Sequence, residues 1–198
     1  MSDSRSFKVV ARYGLIDQCG RVVMLPAFED VLINDAFILG KFGGRWGIIH
    51  DFGCLYNNKF EFEDVMAFDN VLWFKKFGMW GARNSDERIL VRPKYERLSR
   101  MDNSNVIEAV CERESRYEYF SLNGCRLYDD AALFRVYDFE MGYAMGLGYR
   151  KCDTEQSYFI ISANSGKPVK YFEKEGECKA LLEELRNDYI WSKPLGEN

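Results

Sequence analysis

Lys41–Asp51 reads KFGGRWGIIHD, and its reading decides the fold. Phe37 to Phe42 leads into it as a strand-like apolar run, and Gly43-Gly44 is a two-residue hairpin signal. Trp46 to His50 then reads as a second strand. Phe52-Gly53 turns, and Cys54-Leu55-Tyr56 starts a third. Strand, tight turn, strand, turn, strand is the grammar of antiparallel sheet.

The pattern recurs on both sides. Tyr13-Gly14, Trp46-Gly47 and Trp80-Gly81 each open a short strand-like run, as do Tyr117 and Tyr158. Successive aromatics are 33, 34, 37 and 41 residues apart, a period that marks a repeat architecture. Other positions keep the same phase. A glycine follows seven residues later at Gly20, Gly53 and Gly124, and eight later at Gly166. A further aromatic comes 15 or 16 residues on: Phe28 in AFEDV, Phe62 in EFEDV and Tyr95 in KYERL. Phe134 follows one residue later in the fourth copy, and Pro26 and Pro93 occupy matching places. The strand Phe7–Ala11 begins the first unit.

These spacings predict an all-β fold of tandem three-stranded antiparallel units, starting near 7, 37, 71, 106 and 143 and filling residues 1–172. A curved solenoid-like array is expected, with a closed five-bladed propeller as the alternative that unit count and length also permit. From about Gly176 the period changes to three and four at Cys178, Leu181, Leu182, Leu185 and Tyr189. That spacing predicts an amphipathic helix within residues 173–198, capping the open end of the array before a tail at Pro194 and Gly196.

The 198 residues carry 27 basic and 31 acidic side chains, a net charge of −4 that leaves no electrostatic footprint for nucleic acid. No apolar run reaches the ~18 residues of a membrane span. The start MSDSRSFKVVAR has no long apolar segment of the signal-peptide kind, so a cytoplasmic protein is expected. The six cysteines contain no CxxC pair, and free thiols are expected in that compartment.

RWGIIHDFG, RYGLIDQCG and MWGARN, with AFEDV and KYERL, resemble the WG-repeat (KWG-repeat) family, whose bacterial members repeat a motif like K-W-G-Y-I-D-x-x-G-x-x-V-I-x-P-x-Y-D-x-A. The resemblance covers about residues 7–136, with a weaker extension over 137–172. The first unit matches through Tyr13 to Asp17, Gly20, Val22-Val23, Pro26 and Phe28. The second has His50 in place of the motif's Asp and lacks its proline, and the third lacks the Ile-Asp pair. What the resemblance implies is a β-repeat scaffold; the family motif names no catalytic residue.

The repeat signature is Tyr13, Gly14, Trp46, Gly47, Trp80, Gly81, Tyr117 and Tyr158. A Trp in a short strand offers roughly 150–250 Å² of burial, and the following glycine lets a neighbouring repeat approach. Tyr13, Trp46 and Trp80 are therefore expected in the core. His50, the single histidine, stands at a strand end and suits a hydrogen-bonding role; no nucleophile motif accompanies it. Acidic residues gather at Glu61, Glu63, Asp64 and Asp69, and at Asp129, Asp130, Asp138 and Glu140. Paired carboxylates can cleave glycosides, but Asp30 and Asp64 hold equivalent repeat positions, as turn residues do. Arg83–Arg100 is the most basic stretch, with six basic and three acidic residues.

The function expected is non-catalytic: a scaffold binding a protein partner, with no cofactor or metal, no nucleic acid and no membrane. Its contact residues are placed in the variable inter-repeat segments at Asp69, Arg100 and Asp138. The rival reading is a glycan-binding or glycan-cleaving protein that uses exposed aromatics such as Trp73, Tyr137 and Tyr149 with the acidic clusters.

Overall fold

The computed structural model describes residues 11–52, 54–114, 116–127, 131–150, 155–163 and 168–192. Expectations for Phe7–Val10, Gly53, Asp129, Asp130, Cys152, Gly166 and the tail lie outside these residues, as do the side chains of Phe134, Tyr149 and Tyr189.

The described residues form seventeen strands in five sheets, followed by one α-helix. The first sheet pairs β1 (Tyr13–Ile16) with β2 (Val22–Phe28). The second runs β3 (Asp30–Ile33), β4 (Ile38–Phe42), β5 (Arg45–Ile48) and β6 (Phe60–Phe62) in that order. The third holds β7 (Asp64–Phe68), β8 (Val71–Lys76), β9 (Met79–Asn84) and β10 (Ile89–Tyr95). The fourth is β11 (Arg97–Arg100), β12 (Val106–Cys111) and β13 (Arg116–Ser121). The fifth is β14 (Ala131–Val136), β15 (Tyr143–Arg150), β16 (Gln156–Ser162) and β17 (Pro168–Phe172). The helix α1 spans Glu175–Ser192.

A mainly β chain with a C-terminal helix is therefore what the sequence implies, but the sheet unit is larger than expected. Three of the five sheets have four strands rather than three. In the second and third sheets the extra strand is the segment that ends in the phased aromatic, and the next residues already belong to the following sheet. At these corners one glutamate separates two strands: Phe28-Glu29-Asp30, Phe62-Glu63-Asp64 and Tyr95-Glu96-Arg97.

Each corner is built alike. The Glu29 N–H donates to the Lys41 carbonyl and Glu63 N–H to that of Lys75, both at 2.7 Å, while Glu96 N–H donates to Val110 at 3.0 Å. Their carboxylates then cap the next hairpin. Glu29 accepts from the Gly44 N–H and Glu63 from that of Gly78, each at 3.0 Å. Glu96 accepts from Glu112 N–H at 2.9 Å. The ring fills the core while the carboxylate satisfies a turn that strand pairing leaves open.

The described chain divides into two compact units, one reaching Gly78 and including Arg83–Arg88, the other comprising Met79–Ala82 and the chain from Ile89 onward. In the first unit Phe28 packs among Leu15, Met24 and Ile49, and Trp46 packs with Leu39, Phe62, Leu72 and Phe74. Tyr13 departs from expectation: it is 51% exposed, whereas Trp46 is 8% and Trp80 5% exposed. Tyr13 is the first residue of β1, opposite Phe28, whereas Trp46 lies on β5, an inner strand of a four-stranded sheet.

The glycines after the aromatics serve the adjacent strand of their own sheet, not a neighbouring repeat. A Cβ on Gly14 would stand 2.6 Å from the Met24 carbonyl oxygen, and one on Gly81 2.8 Å from that of Val91. At Gly47 the clash is with Lys59 and Phe60. Pro26 and Pro93 lie against the same glycines, so the Gly and Pro of the repeat are one close approach seen from both sides.

In the second unit the core gathers Val106, Tyr119, Phe139, Phe159 and Ile161. Helix α1 lays Cys178 and Leu182 on Met145, Ile160 and Phe172, with Leu181 and Leu185 beside them. Burial, then the nearby Glu175 charge, raises the Cys178 thiol pKa to about 11. Cys19, Cys54, Cys111, Cys125 and Cys178 are free thiols.

Candidate functional site

The second unit carries an open groove of about 500 Å³. Strand register builds its floor. Ser99 pairs with Glu108 and Glu108 with Tyr119, making one cross-strand row, and Arg97, Val110 and Tyr117 make the next on the same face. Arg100, Met101 and Asp102 continue from the edge strand β11, and Arg135, Val136 and Asp138 form the opposite wall.

Tyr119 anchors this floor. Its ring is buried, and its hydroxyl accepts the Val136 N–H at 3.0 Å while donating to Glu108 Oε2 at 3.3 Å. Burial, reinforced by the Glu108 charge, raises the phenol pKa above its ordinary value. The hydroxyl thus stays protonated and holds the Glu108 carboxylate in place. The arginines are also positioned. Arg97 Nε lies 3.2 Å from Glu112 Oε1, and Arg100 Nε donates to the Ser104 carbonyl at 3.2 Å. The Arg135 guanidinium sits 5.1 Å from the centre of the Tyr137 ring. Three arginines thus face Asp102, Glu108 and Asp138 in one groove. Such a lining suits a partner carrying both signs of charge better than a single anion.

A second, smaller groove of about 340 Å³ runs beside α1, lined by Tyr137, Asp138, Met145, Leu182 and Arg186 among others. Arg186 there meets Glu140 at 2.7 Å. Asp138 borders both grooves.

Arg100 and Asp138, singled out from variable segments, thus line the same groove. Asp69 does not line it. It belongs to the first unit, in the β7–β8 turn, where its carbonyl accepts from Asn34 Nδ2 at 3.1 Å. Trp73, expected as an exposed sugar platform, is instead fully buried at 0% exposure, because it lies in β8, an inner strand of a four-stranded sheet. Tyr137 is exposed. The repeat-signature residues are strand residues: Tyr13 and Gly14 on β1, Trp46 and Gly47 on β5, Trp80 and Gly81 on β9, Tyr117 on β13, Tyr158 on β16. His50 is exposed, and its backbone N–H donates to Asn58 Oδ1 at 2.8 Å. Two of the first acidic cluster are paired, Glu61 with Lys76 at 2.6 Å and Glu63 with Arg45 at 3.2 Å, while Asp64 accepts the Val65 N–H at 2.9 Å. Among the described residues no three His, Cys, Asp or Glu gather as a metal would require, and no helix is long and apolar enough to cross a membrane.

The sequence does not single out Tyr119, beneath the groove, or Glu118, on the opposite face of the same strand. Glu118 stands where the repeat has glycine, and its carboxylate is 4% exposed. Tyr95 Oη donates to it at 2.6 Å and Lys94 Nζ at 3.1 Å, while Arg126 Nε lies 3.6 Å away. A charge in a position held by glycine in the three preceding units is the available signal.

No family model matches the chain, and no curated protein matches it. Among solved structures it is similar to the N-terminal domain of Nup159, with a TM-score of 0.37, 10% identity, and coverage of 73% of this chain and 47% of that one. It is similar to a chain of the S. cerevisiae complex of a Dbp5 variant with Nup159, Gle1, IP6 and ADP, at 0.35, 11%, 76% and 48% in the same order. Kluyveromyces lactis Hsv2 gives 0.33, 11%, 69% and 48%. The chain spans about half the length of these structures. TM-scores below 0.5 at such identities carry no argument about fold or function.

Proposed function

We propose that this chain is a non-catalytic β-repeat scaffold of the WG type, in a curved solenoid-like or five-bladed arrangement, that binds a protein partner through the groove between β11 and β14. One observation carries the reading. Arg100 and Asp138, far apart in sequence, border one open polar groove whose floor carboxylate, Glu108, is held by a buried tyrosine. A floor fixed before binding reduces the ordering that association would otherwise require. The cytoplasm is the compartment proposed for this contact.

The test compares wild type with the doubly reversed Arg100→Glu/Asp138→Lys protein as baits, quantifying captured proteins by mass spectrometry. A partner that falls at least tenfold with the reversed bait, and binds wild type again after purification, supports the reading. The melting temperature should stay within about 2 °C, since both residues are exposed. Capture that is indifferent to both charges rejects the groove.

The glycan reading has one observation in its favour: Asp102, Glu108 and Asp138 share the groove with the Tyr117 ring. It has lost Trp73 as a platform. Hydrolysis of a glycan panel, abolished by Glu108→Gln, would replace the scaffold reading with this one.

A further inference from the structure

Strands β8 and β9 are joined by two residues, Phe77 and Gly78, with φ of 53° and 77°. The corresponding turn between β4 and β5 is Gly43-Gly44, at 60° and 77°. A two-residue hairpin with both central φ values positive calls for Gly, Asn or Asp. A bulky side chain there is an outlier, because its Cβ crowds the following carbonyl. The rest of the turn is well made. Glu63 caps the Gly78 N–H at 3.0 Å and is itself held by Arg45.

The phenyl ring does not offset its backbone conformation by burial. It is 85% exposed, with the Lys76 ammonium 5.5 Å from its centre. Exposure alone would single out nothing, since Tyr56 and Leu25 are comparably bare. Met141, before Gly142, shares the positive φ but is more than half covered. At Phe77 the strained backbone and the nearly bare aromatic ring coincide. Strain of this kind persists where the surroundings impose it, and it clusters at functional positions.

We propose that Phe77 is a projecting anchor that enters an apolar pocket on a protein partner, with Lys75, on the strand that leads into the turn, meeting an acidic rim of that pocket. Aromatic side chains that fill a partner's pocket dominate binding energy, and a tight hairpin presents the ring with little freedom to lose. Lys75 sets the sign of the rim, since the Lys76 ammonium is taken by Glu61. A membrane is the poorer occupant. A single ring with two lysines, one of them held by Glu61 at 2.6 Å, falls short of stable anchoring. A second copy is poorer too, since a twofold contact needs a self-complementary patch rather than a single projecting ring.

The full chain carrying Phe77→Asn or Phe77→Gly should melt several degrees higher than wild type, because the strain is relieved and little packing is lost. If neither variant is stabilised, the ring is not held at a cost and the proposal fails. The second arm places a photocrosslinking benzoylphenylalanine at position 77 in cells and maps the adduct by mass spectrometry. The crosslinked protein, purified, should bind Phe77→Asn at least tenfold more weakly than wild type, with the adduct at an apolar, acid-rimmed pocket. Absence of an adduct, or equal affinities, overturns the proposal. Sedimentation and flotation with 3:1 phosphatidylcholine:phosphatidylserine vesicles complete the test. Self-association, or vesicle binding lost in Phe77→Asn, would assign the ring to a second copy or to a membrane instead.

Discussion

Glu118 shows how one residue alters a repeat. Where Gly14, Gly47 and Gly81 in the preceding units are pressed by the next strand, it places a carboxylate in the interior beside Tyr95, Lys94 and Arg126. Burial pushes its pKa up, but the Tyr95 and Lys94 hydrogen bonds and the Arg126 and Lys94 charges outweigh that, leaving it below the ordinary 4.5. A carboxyl group whose folded pKa is depressed stabilises the fold above its unfolded pKa. That contribution is lost as pH falls through the folded value. Stability should therefore decline below about pH 4.5 in wild type, and less steeply in Glu118→Gln, as read by denaturant midpoints across pH. Glu118→Ala, which removes the acceptor of the buried Tyr95 hydroxyl, should lose about 1–3 kcal/mol. Gly81→Ala has no room for its methyl beside Val91 and Pro93 and should cost about 1–3 kcal/mol by the same measurement. An unchanged midpoint there would show that the strand pair can shift apart freely.

Single elements carry the next level. The corner glutamates recur because the sheets repeat: each joins two strands of different sheets and caps the hairpin that follows. Trp46 in β5 fills the cluster with Phe62 and Phe74, so Trp46→Ala should cost about 3–5 kcal/mol of unfolding free energy. Helix α1 covers the fifth sheet through Cys178 and Leu182. Leu182→Ala should lower stability by about 2–5 kcal/mol, and truncation before Glu175 should bare Met145, Ile160 and Phe172 and cause aggregation. A truncated chain that remains monomeric and equally stable by sedimentation and chemical denaturation would contradict the capping role. The helix was legible because a three- and four-residue period is a local property. The four-strand sheet was less so: the fourth strand runs straight into the next sheet, and no turn residue marks the break at Phe28-Glu29-Asp30.

For the molecule as a whole, the sequence by itself determined the β class, the tight turns and the helix. Alternation, turn chemistry and helical spacing act over a few residues and need no knowledge of distant contacts. It also marked Arg100 and Asp138 as variable surface positions. Only the tertiary structure decided which aromatics are covered, burying Trp73 while leaving Tyr13 half bare. The same structure joined Arg100 and Asp138 in one groove, set Tyr119 beneath Glu108, and gave Glu118 a partner 23 residues away. These outcomes depend on strand register and on which sheet follows which. A shift of one residue sends every side chain of a strand to the opposite face, so no local pattern could have specified them.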